Sequence, residues 1–242
     1  MLHRCVFVVI CLVLYVNAEI PSFIKVCKAT NPDLGGCIKS SVLTLQPNLA
    51  KGIPELDVPV LEPFDVDDLS VRTNLNINIT DFKLHNLLAF EILDISASYE
   101  KYQFAFVLKF TNVEVSGDYT IDTKLLTIPL QGHGPLTGRI GSIHFIGKLK
   151  GKRIQINGEN HIELRFLEFK ITDWKNVKFS MSGLFPDNKQ LAEAATRVVE
   201  DNSDVLLEEM VPTLETNLNR KITEIANKIV RKFTEEEIFP KN

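Results

Sequence analysis

The sequence predicts an α+β fold in which a long, curved antiparallel β-sheet wraps around one long C-terminal helix. Two observations lead to this prediction. Residues 71–183 alternate apolar and polar side chains, which is the period of half-buried strands. Residues 188–233 instead carry apolar side chains at every third or fourth position, which is the period of one helical face. Because a single helix cannot bury such a face by itself, the strands are expected to complete the core.

The strand region is predicted to be a meander of short strands. Apolar residues alternate from 75 to 79 and again from 104 to 110, and short connections favour antiparallel neighbours. Gly117 and Asp118 predict a turn, and the Gly-His-Gly-Pro segment at 132–135 predicts the end of the next strand. The basic segment 148–153 is predicted to lie in a solvated turn between strands.

The C-terminal region is predicted to be helical from Asn188, a typical N-cap residue, to about Phe233. Pro212 lies inside this stretch and is expected to kink the helix or divide it in two, since its ring clashes with the preceding turn. A shorter helix is predicted over residues 37–49, where apolar side chains recur at helical spacing.

The first 18 residues have the order of a secretory signal peptide. His3 and Arg4 precede an apolar run, and Val16-Asn17-Ala18 at its end offers an apolar and a small residue, Val16 and Ala18, at the positions that a signal peptidase reads. A signal anchor is the alternative, but the run is too short to cross a hydrocarbon core of about 30 Å as a helix. We therefore expect residues 1–18 to be removed. Residues 19–242 are expected to form a single extracellular domain without stable membrane insertion.

Two of the four cysteines, Cys27 and Cys37, lie outside the predicted signal peptide. In an oxidising compartment they are expected to form a disulfide, which would stabilise the fold by roughly 3 kcal/mol. A reactive thiol pair or a metal pair is the alternative, but a zinc site usually needs four ligands. No metal ion or cofactor is predicted. Asn78 begins an N-glycosylation sequon on the polar face of a predicted strand.

Composition and motifs argue against nucleic-acid binding and against catalysis. The chain carries 27 basic and 31 acidic residues, mixed along its length, for a net charge of −4. It contains no Gly-x-Ser-x-Gly elbow and no phosphate-binding P-loop. Its histidines are scattered, although His144 and His161 could meet across strands. The protein is therefore predicted not to be an enzyme.

Several segments, in order, resemble those of one protein family. The stretch from Cys27 to Cys37, followed by Gly-Ile-Pro-Glu-Leu at 52–56, resembles the opening of insect takeout proteins. Further segments are similar to the family's acidic-proline element and to its C-terminal part, namely 61–66, 177–185, 225–229 and 237–240. On this basis the chain is identified as a member of the insect takeout and haemolymph juvenile hormone-binding protein family. The lack of a later, second cysteine pair favours the takeout branch.

The resemblance implies the tubular lipid-binding fold, in which the curved sheet encloses an apolar tunnel. It implies a secreted, monomeric insect carrier of a small hydrophobic ligand (terpenoid, fatty-acyl or quinone-like), associated with circadian rhythm and present in haemolymph or another extracellular fluid. The tunnel residues are expected among inward strand aromatics and the helix face, namely Phe104, Phe106, Phe145, Phe166, Val198, Leu206, Met210, Leu214 and Leu218. Ordinary core packing is the alternative role for each of them.

Two questions about the ligand stay open at this level. Four side chains carry polar groups that are candidates to orient the head group of the ligand, or that instead anchor the sheet, namely Tyr99, Tyr102, Tyr119 and Trp174. The second function considered is an extracellular signalling protein that contacts a cell-surface receptor and holds a permanent structural lipid. Ligand exchange within minutes would favour the carrier. The acidic charge disfavours a third function, lipid transfer between membranes.

Overall fold

The computed structural model describes residues 20–73 and 75–241. The predicted signal peptide, residues 1–18, lies outside the described residues. The strands are β1 (Phe64–Asp65), β2 (Leu69–Arg72), β3 (Asn76–His85), β4 (Phe90–Ser98), β5 (Gln103–Leu125), β6 (Ile128–Ile156) and β7 (Glu159–Met181). The helices are α1 (Leu34–Lys51), α2 (Lys189–Asp201), α3 (Ser203–Val230) and α4 (Glu235–Ile238).

All seven strands belong to one antiparallel sheet with the order β1-β3-β5-β6-β7. The long strands β5, β6 and β7 run side by side along its whole length. Two shorter strands share the other side of β5. β4 pairs with its first half and β3 with its second half. The predicted curved antiparallel sheet is confirmed, with fewer and much longer strands than the meander we expected.

The turn predicted at Gly117 and Asp118 is wrong, because β5 continues through both residues. Gly117 serves packing instead. A Cβ atom there would lie 2.9 Å from the Ile79 side chain and 3.0 Å from the Thr80 carbonyl oxygen of β3. A glycine inside a strand often marks such a close approach. The strand end predicted at 132–135 is also wrong, because β6 continues through these residues. Gly132 instead allows a close approach between segments, since a Cβ atom there would lie 2.5 Å from the Gly183 carbonyl oxygen.

The basic segment 148–153 lies inside β6, and the predicted solvated turn is wrong there too. Lys148 and Lys152 form ion pairs with Glu168 and Glu163 of β7. The chain turns instead at Asn157 and Gly158, which connect β6 to β7. Both residues have positive φ angles, 52° and 88°. An Asn-Gly pair adopts these angles readily in a two-residue hairpin turn.

The C-terminal helical region is confirmed, but it is interrupted at Asn202 and not at Pro212. Asn188 caps α2 as predicted, because its side chain accepts a hydrogen bond from the backbone N–H of Leu191. Asn202 ends α2, where its backbone N–H and its side-chain amide both donate to the Val198 carbonyl. Pro212 lies inside α3, which is 28 residues long and continues beyond the proline to Val230.

Helix α3 runs along the free edge of β7 and its side chains satisfy the exposed backbone of that strand. The Glu215 carboxylate accepts a hydrogen bond of 2.8 Å from the Ile171 backbone N–H. The Asn227 side chain bonds both the backbone N–H and the carbonyl of Leu164, each at 2.8 Å. An uncovered strand edge would invite pairing with another chain. The helix therefore both completes the core and protects the edge.

Helix α1 covers the opposite edge, which is formed by β4. The Lys39 ammonium group donates to the Ile92 carbonyl at 2.8 Å. A Cβ on Gly35 would lie 2.9 Å from the Ile95 carbonyl, so the helix backbone approaches the strand closely. The predicted helix over residues 37–49 is thus confirmed, with α1 extending beyond it at both ends.

The largest hydrophobic core lies between the concave face of the sheet and helices α2 and α3. Residues from both layers are fully buried there, such as Ile77 and Ile79 of β3 and Leu206 of α3. This core fills the half of the molecule near the β5–β6 hairpin. No helix in the described ranges has the length and apolar character needed to cross a membrane.

Candidate functional site

The other half of the molecule contains an apolar cavity of about 400 Å³. It lies at the end where the hairpins β4–β5 and β6–β7 turn, between the sheet, α1 and the C-terminal segment. The described residues of its lining are almost entirely aliphatic or aromatic and include no carboxylate. A volume of this size is typical of small-molecule sites, which are concave and mostly apolar.

The first wall is formed by α1 and by the segment that precedes it. Ile38 and Val42, one helical turn apart, face the cavity from α1. Ile24 and Cys27 face it from the preceding segment. The predicted disulfide between Cys27 and Cys37 is present, and it ties this segment to α1 with the two Cα atoms 5.9 Å apart. The disulfide therefore fixes one wall of the cavity.

The sheet supplies the second wall, chiefly through phenylalanines. Phe104 and Phe106 of β5, both predicted as tunnel residues, line the cavity together with Phe90 of β4. Phe106 is in edge-to-face contact with Phe166, and their ring centroids lie 6.2 Å apart. Such aromatic pairs contribute packing energy beyond their buried area.

The C-terminal segment closes the end of the cavity. Phe233, Ile238 and Phe239 line it, and the Phe239 ring stacks on that of Phe104 at 6.2 Å between centroids. The backbone N–H of Ala29 donates to the Pro240 carbonyl at 2.9 Å, which ties the two ends of the described chain together. The cavity is thus formed by segments that are far apart in the sequence.

A buried carboxylate anchors this closing segment. Glu235, at the start of α4, is 5% exposed. It accepts hydrogen bonds from the Arg153 guanidinium at 2.5 and 2.7 Å and from the Tyr99 and Tyr102 hydroxyls at 2.5 Å each. The hydrogen bonds from Arg153, with smaller contributions from Tyr102 and Tyr99, outweigh burial, which acts to raise the pKa of Glu235, and together they lower that pKa to about 2. The carboxylate is therefore ionised under physiological conditions.

The remaining residues predicted for the tunnel belong to the main core or pack against it. Phe145 is 7% exposed, and its ring lies 5.0 Å from that of Phe110 and 5.7 Å from that of Phe169. Phe166 packs beside them, directly behind the cavity wall. The helix residues among them are in contact with the same core, namely Val198, Leu206, Met210, Leu214 and Leu218.

The tyrosines considered for a ligand's head have partners within the protein. The hydroxyls of Tyr99 and Tyr102 donate to Glu235, and that of Tyr119 donates to the Ser182 carbonyl at 2.9 Å. Burial raises the pKa of Tyr119 to about 12. Trp174 packs against the main core. These four side chains stabilise the sheet and the closing segment.

The histidines that the structure describes do not assemble into a catalytic or metal-binding group. His144 lies opposite Asp173 on β7, with their side chains 3.3 Å apart, whereas His161 lies opposite Ile154. The two histidines therefore do not meet across the strands. Among the described residues, no cluster of three or more side chains could hold a metal ion.

Asn78 occupies the outer face of β3, where it is half-buried. Its side chain accepts a hydrogen bond from the hydroxyl of Ser70 on β2. Ile77 and Ile79 on either side of it point into the core. A glycan at this position would project away from both the core and the cavity.

Part of the cavity lining was not anticipated from the sequence. The apolar spacing of Ile38 and Val42 was part of the predicted helix, but nothing in that spacing showed which surface the helix covers. Phe233 was assigned to the apolar face of the long helix, and Phe239 belongs to a segment that resembles the takeout family. Phe233 and Phe239 both reach the cavity because the chain after α3 folds over this end of the sheet, which local patterns do not encode.

Comparisons with known proteins agree with this architecture. The family model described as haemolymph juvenile hormone binding protein (JHBP) matches residues 5–240. The circadian clock-controlled protein daywake of Drosophila yakuba is 24% identical over 232 residues, covering 90% of this chain and 88% of the relative. A putative beta-carotene-binding protein of Schistocerca gregaria is 21% identical over 224 residues, with coverage of 90% and 88%.

One solved structure shares the fold. The crystal structure of Takeout 1 from Epiphyas postvittana superposes with a TM-score of 0.76 at 22% sequence identity. The match covers 90% of this chain and 100% of the other. The predicted tubular fold, a curled antiparallel sheet with a C-terminal helix, is confirmed by this similarity.

Proposed function

We propose that this chain, which belongs to the haemolymph juvenile hormone binding protein family, is a carrier. It holds a small hydrophobic ligand in the cavity between the sheet, α1 and the C-terminal segment. Members of this family bind hydrophobic ligands. The observation that carries the proposal is a cavity of about 400 Å³ whose described lining residues are almost all apolar and include no carboxylate. Such a cavity offers an oily molecule a dry site in water.

The expected affinity follows from the area that such a ligand buries. Apolar surface removed from water contributes roughly 25 cal/mol per Å², so a ligand that buries about 400 Å² gains on the order of 10 kcal/mol. Association costs several kcal/mol in lost translational and rotational freedom. Micromolar to nanomolar dissociation constants therefore need no catalytic group and no cofactor. This is consistent with a binding protein that is not an enzyme.

We propose a chemical class for the ligand and do not name one compound. One relative is named as a putative beta-carotene-binding protein, and a terpenoid, fatty-acyl or quinone-like molecule would suit an aromatic and aliphatic lining. Phe104 and Phe106 are proposed as contact residues. The other seven residues predicted for the tunnel are proposed as contacts only for a ligand long enough to displace the rings behind the cavity wall.

We also propose that the protein acts outside the cell as a monomer. The predicted signal peptide would be removed before Glu19, leaving residues 19–242 as one domain. The disulfide between Cys27 and Cys37 is consistent with an oxidising compartment. The glycan expected at Asn78 would sit on the outer face of the sheet.

Native mass spectrometry of the protein secreted by insect cells tests these proposals together, followed by organic extraction of any bound molecule. We expect a chain that begins near Glu19, carries one apolar molecule of defined mass, and exchanges it with added analogues within minutes. A protein that is empty and also binds no apolar compound would contradict the carrier. A molecule that never exchanges would instead favour the signalling protein with a structural lipid and a cell-surface receptor.

A further inference from the structure

We define the mouth of the cavity as the segment that precedes α1, because some of its residues both line the cavity and are exposed to solvent. Val26 of this segment is 41% exposed. Lys25, the residue before it, is exposed and lines the cavity as well. The half-buried Ser41 faces the same space from α1. Among the described residues of the lining, Lys25 and Ser41 alone carry an ammonium or a hydroxyl group.

Within the described residues, the charge of Lys25 has no acidic partner. Its ammonium group donates to the Ser40 hydroxyl at 3.2 Å, and no carboxylate in the described part of the chain lies within 4.0 Å of it. The cavity lining adds no acidic group. The neighbouring cation Lys39 is used differently, since it bonds to the Ile92 carbonyl. The ammonium group of Lys25, bonded to the Ser40 hydroxyl, is therefore the one positive charge among the described lining residues of an otherwise apolar cavity.

This arrangement suits an amphipathic molecule better than a wholly apolar one. A carboxylate pays a large desolvation cost in an apolar interior, but at the mouth it stays partly hydrated. There it can accept a charge-assisted hydrogen bond from Lys25 while its tail fills the cavity. A neutral ester or alcohol of the same length would bury the same tail without the ionic contact. The positive charge thus discriminates by head group.

We propose that the ligand is a long-chain carboxylate whose tail occupies the cavity and whose head lies at the mouth, bound by the Lys25 ammonium and the Ser41 hydroxyl. The inference rests on the proposed function, because it requires the cavity to be the binding site. It makes Lys25 a specificity-determining residue. Exposed charge pairs are typically weak, at up to about 1 kcal/mol, which corresponds to a preference of about fivefold.

Displacement of a neutral fluorescent probe, N-phenyl-1-naphthylamine, tests the inference. Palmitate and methyl palmitate are compared as competitors on the wild-type protein and on Lys25→Gln. Palmitate is expected to displace the probe from the wild type at about fivefold lower concentration than the ester. In Lys25→Gln this ratio is expected to fall to about one. Lys28→Gln is the matched control, because Lys28 is exposed and does not line the cavity.

Each outcome separates the head-group inference from the carrier proposal. A wild-type protein that binds the probe but does not prefer palmitate, or a preference that Lys25→Gln retains, overturns the inference and leaves the carrier intact. Loss of the preference in Lys28→Gln as well would show a general charge effect and also overturn it. A wild-type protein that binds neither the probe nor a competitor overturns both proposals.

Discussion

Glu235 illustrates how one residue holds a distant segment in place. Its carboxylate is buried, yet it accepts four hydrogen bonds, two from Arg153 and one each from Tyr99 and Tyr102. Burying an ionised carboxylate is costly unless charged and polar partners replace the lost water. With this network in place, α4 can lie over the end of the cavity. The sequence could not predict the network, because Arg153 belongs to a segment expected to be a solvated turn.

Replacing Glu235 by glutamine should weaken the closing segment. The substitution keeps the size of the side chain but leaves the Arg153 guanidinium without its carboxylate. We expect the free energy of unfolding at pH 7 to fall by about 2 kcal/mol. This loss is smaller than that for a fully buried ion pair, because the Arg153 side chain is 51% exposed and solvent screens its charge. Urea unfolding followed by circular dichroism measures this. Glu236→Gln, at the exposed neighbouring carboxylate, should change it by less than about 0.5 kcal/mol.

The same carboxylate predicts a pH dependence of stability. The pKa of Glu235 is lowered from its usual 4.5 to about 2 in the folded protein. Its contribution is therefore fully present above about pH 4.5 and is lost as the pH falls towards 2. The difference in unfolding free energy between the wild type and Glu235→Gln should shrink over this window. A difference that stays constant down to pH 2 would contradict the assignment.

At the scale of elements, α3 acts as a cover for the β7 edge. Its side chains replace the hydrogen bonds that a neighbouring strand would make, most directly where Asn227 bonds both backbone groups of Leu164. The helical period of this region was readable from the sequence. The role of α3 at the strand edge could not be predicted from the sequence, because Asn227 appears there only as a polar residue between apolar positions.

Asn227→Ala should expose the backbone of Leu164. Two backbone groups would lose their partners, so we expect the protein to be destabilised by about 1–2 kcal/mol. The amide of Leu164 should also exchange with solvent faster, as measured by hydrogen exchange. Lys228→Ala is a suitable control, since Lys228 is exposed and alanine and lysine have similar helix propensities. Equal exchange at Leu164 in wild type and Asn227→Ala would refute the role of this side chain.

The errors at this scale share a physical cause. The sequence predicts a turn at Gly117, but the missing Cβ of this glycine makes room for the side chain of Ile79. The sequence predicts that Pro212 kinks the long helix or divides it in two, but the division occurs at Asn202, whose backbone N–H and side-chain amide terminate α2. Glycine, proline and asparagine each have more than one structural use, and the choice between them depends on contacts with other strands and helices.

For the whole molecule, the sequence predicted the packing of the sheet against the C-terminal helix but not the position of the cavity. The two periodicities were sufficient for a curved sheet over a C-terminal helix. The cavity, however, depends on three segments meeting at one end, namely the residues before α1, α1 itself, and the closing segment after α3. Of the nine predicted tunnel residues, Phe104 and Phe106 line the cavity. The periodicity that marks a residue as apolar cannot distinguish a packed core from a ligand site.

Binding of N-phenyl-1-naphthylamine to two neighbouring α1 variants tests the central claim most directly. Val42 lines the cavity, whereas Leu43 beside it is 39% exposed on the outer surface of the helix. Val42→Trp should fill the cavity and weaken probe binding at least tenfold, corresponding to about 1.4 kcal/mol, while Leu43→Trp should bind like the wild type. Circular dichroism verifies that both variants fold. If both folded variants bound the probe as tightly as the wild type, the cavity would not be the ligand site.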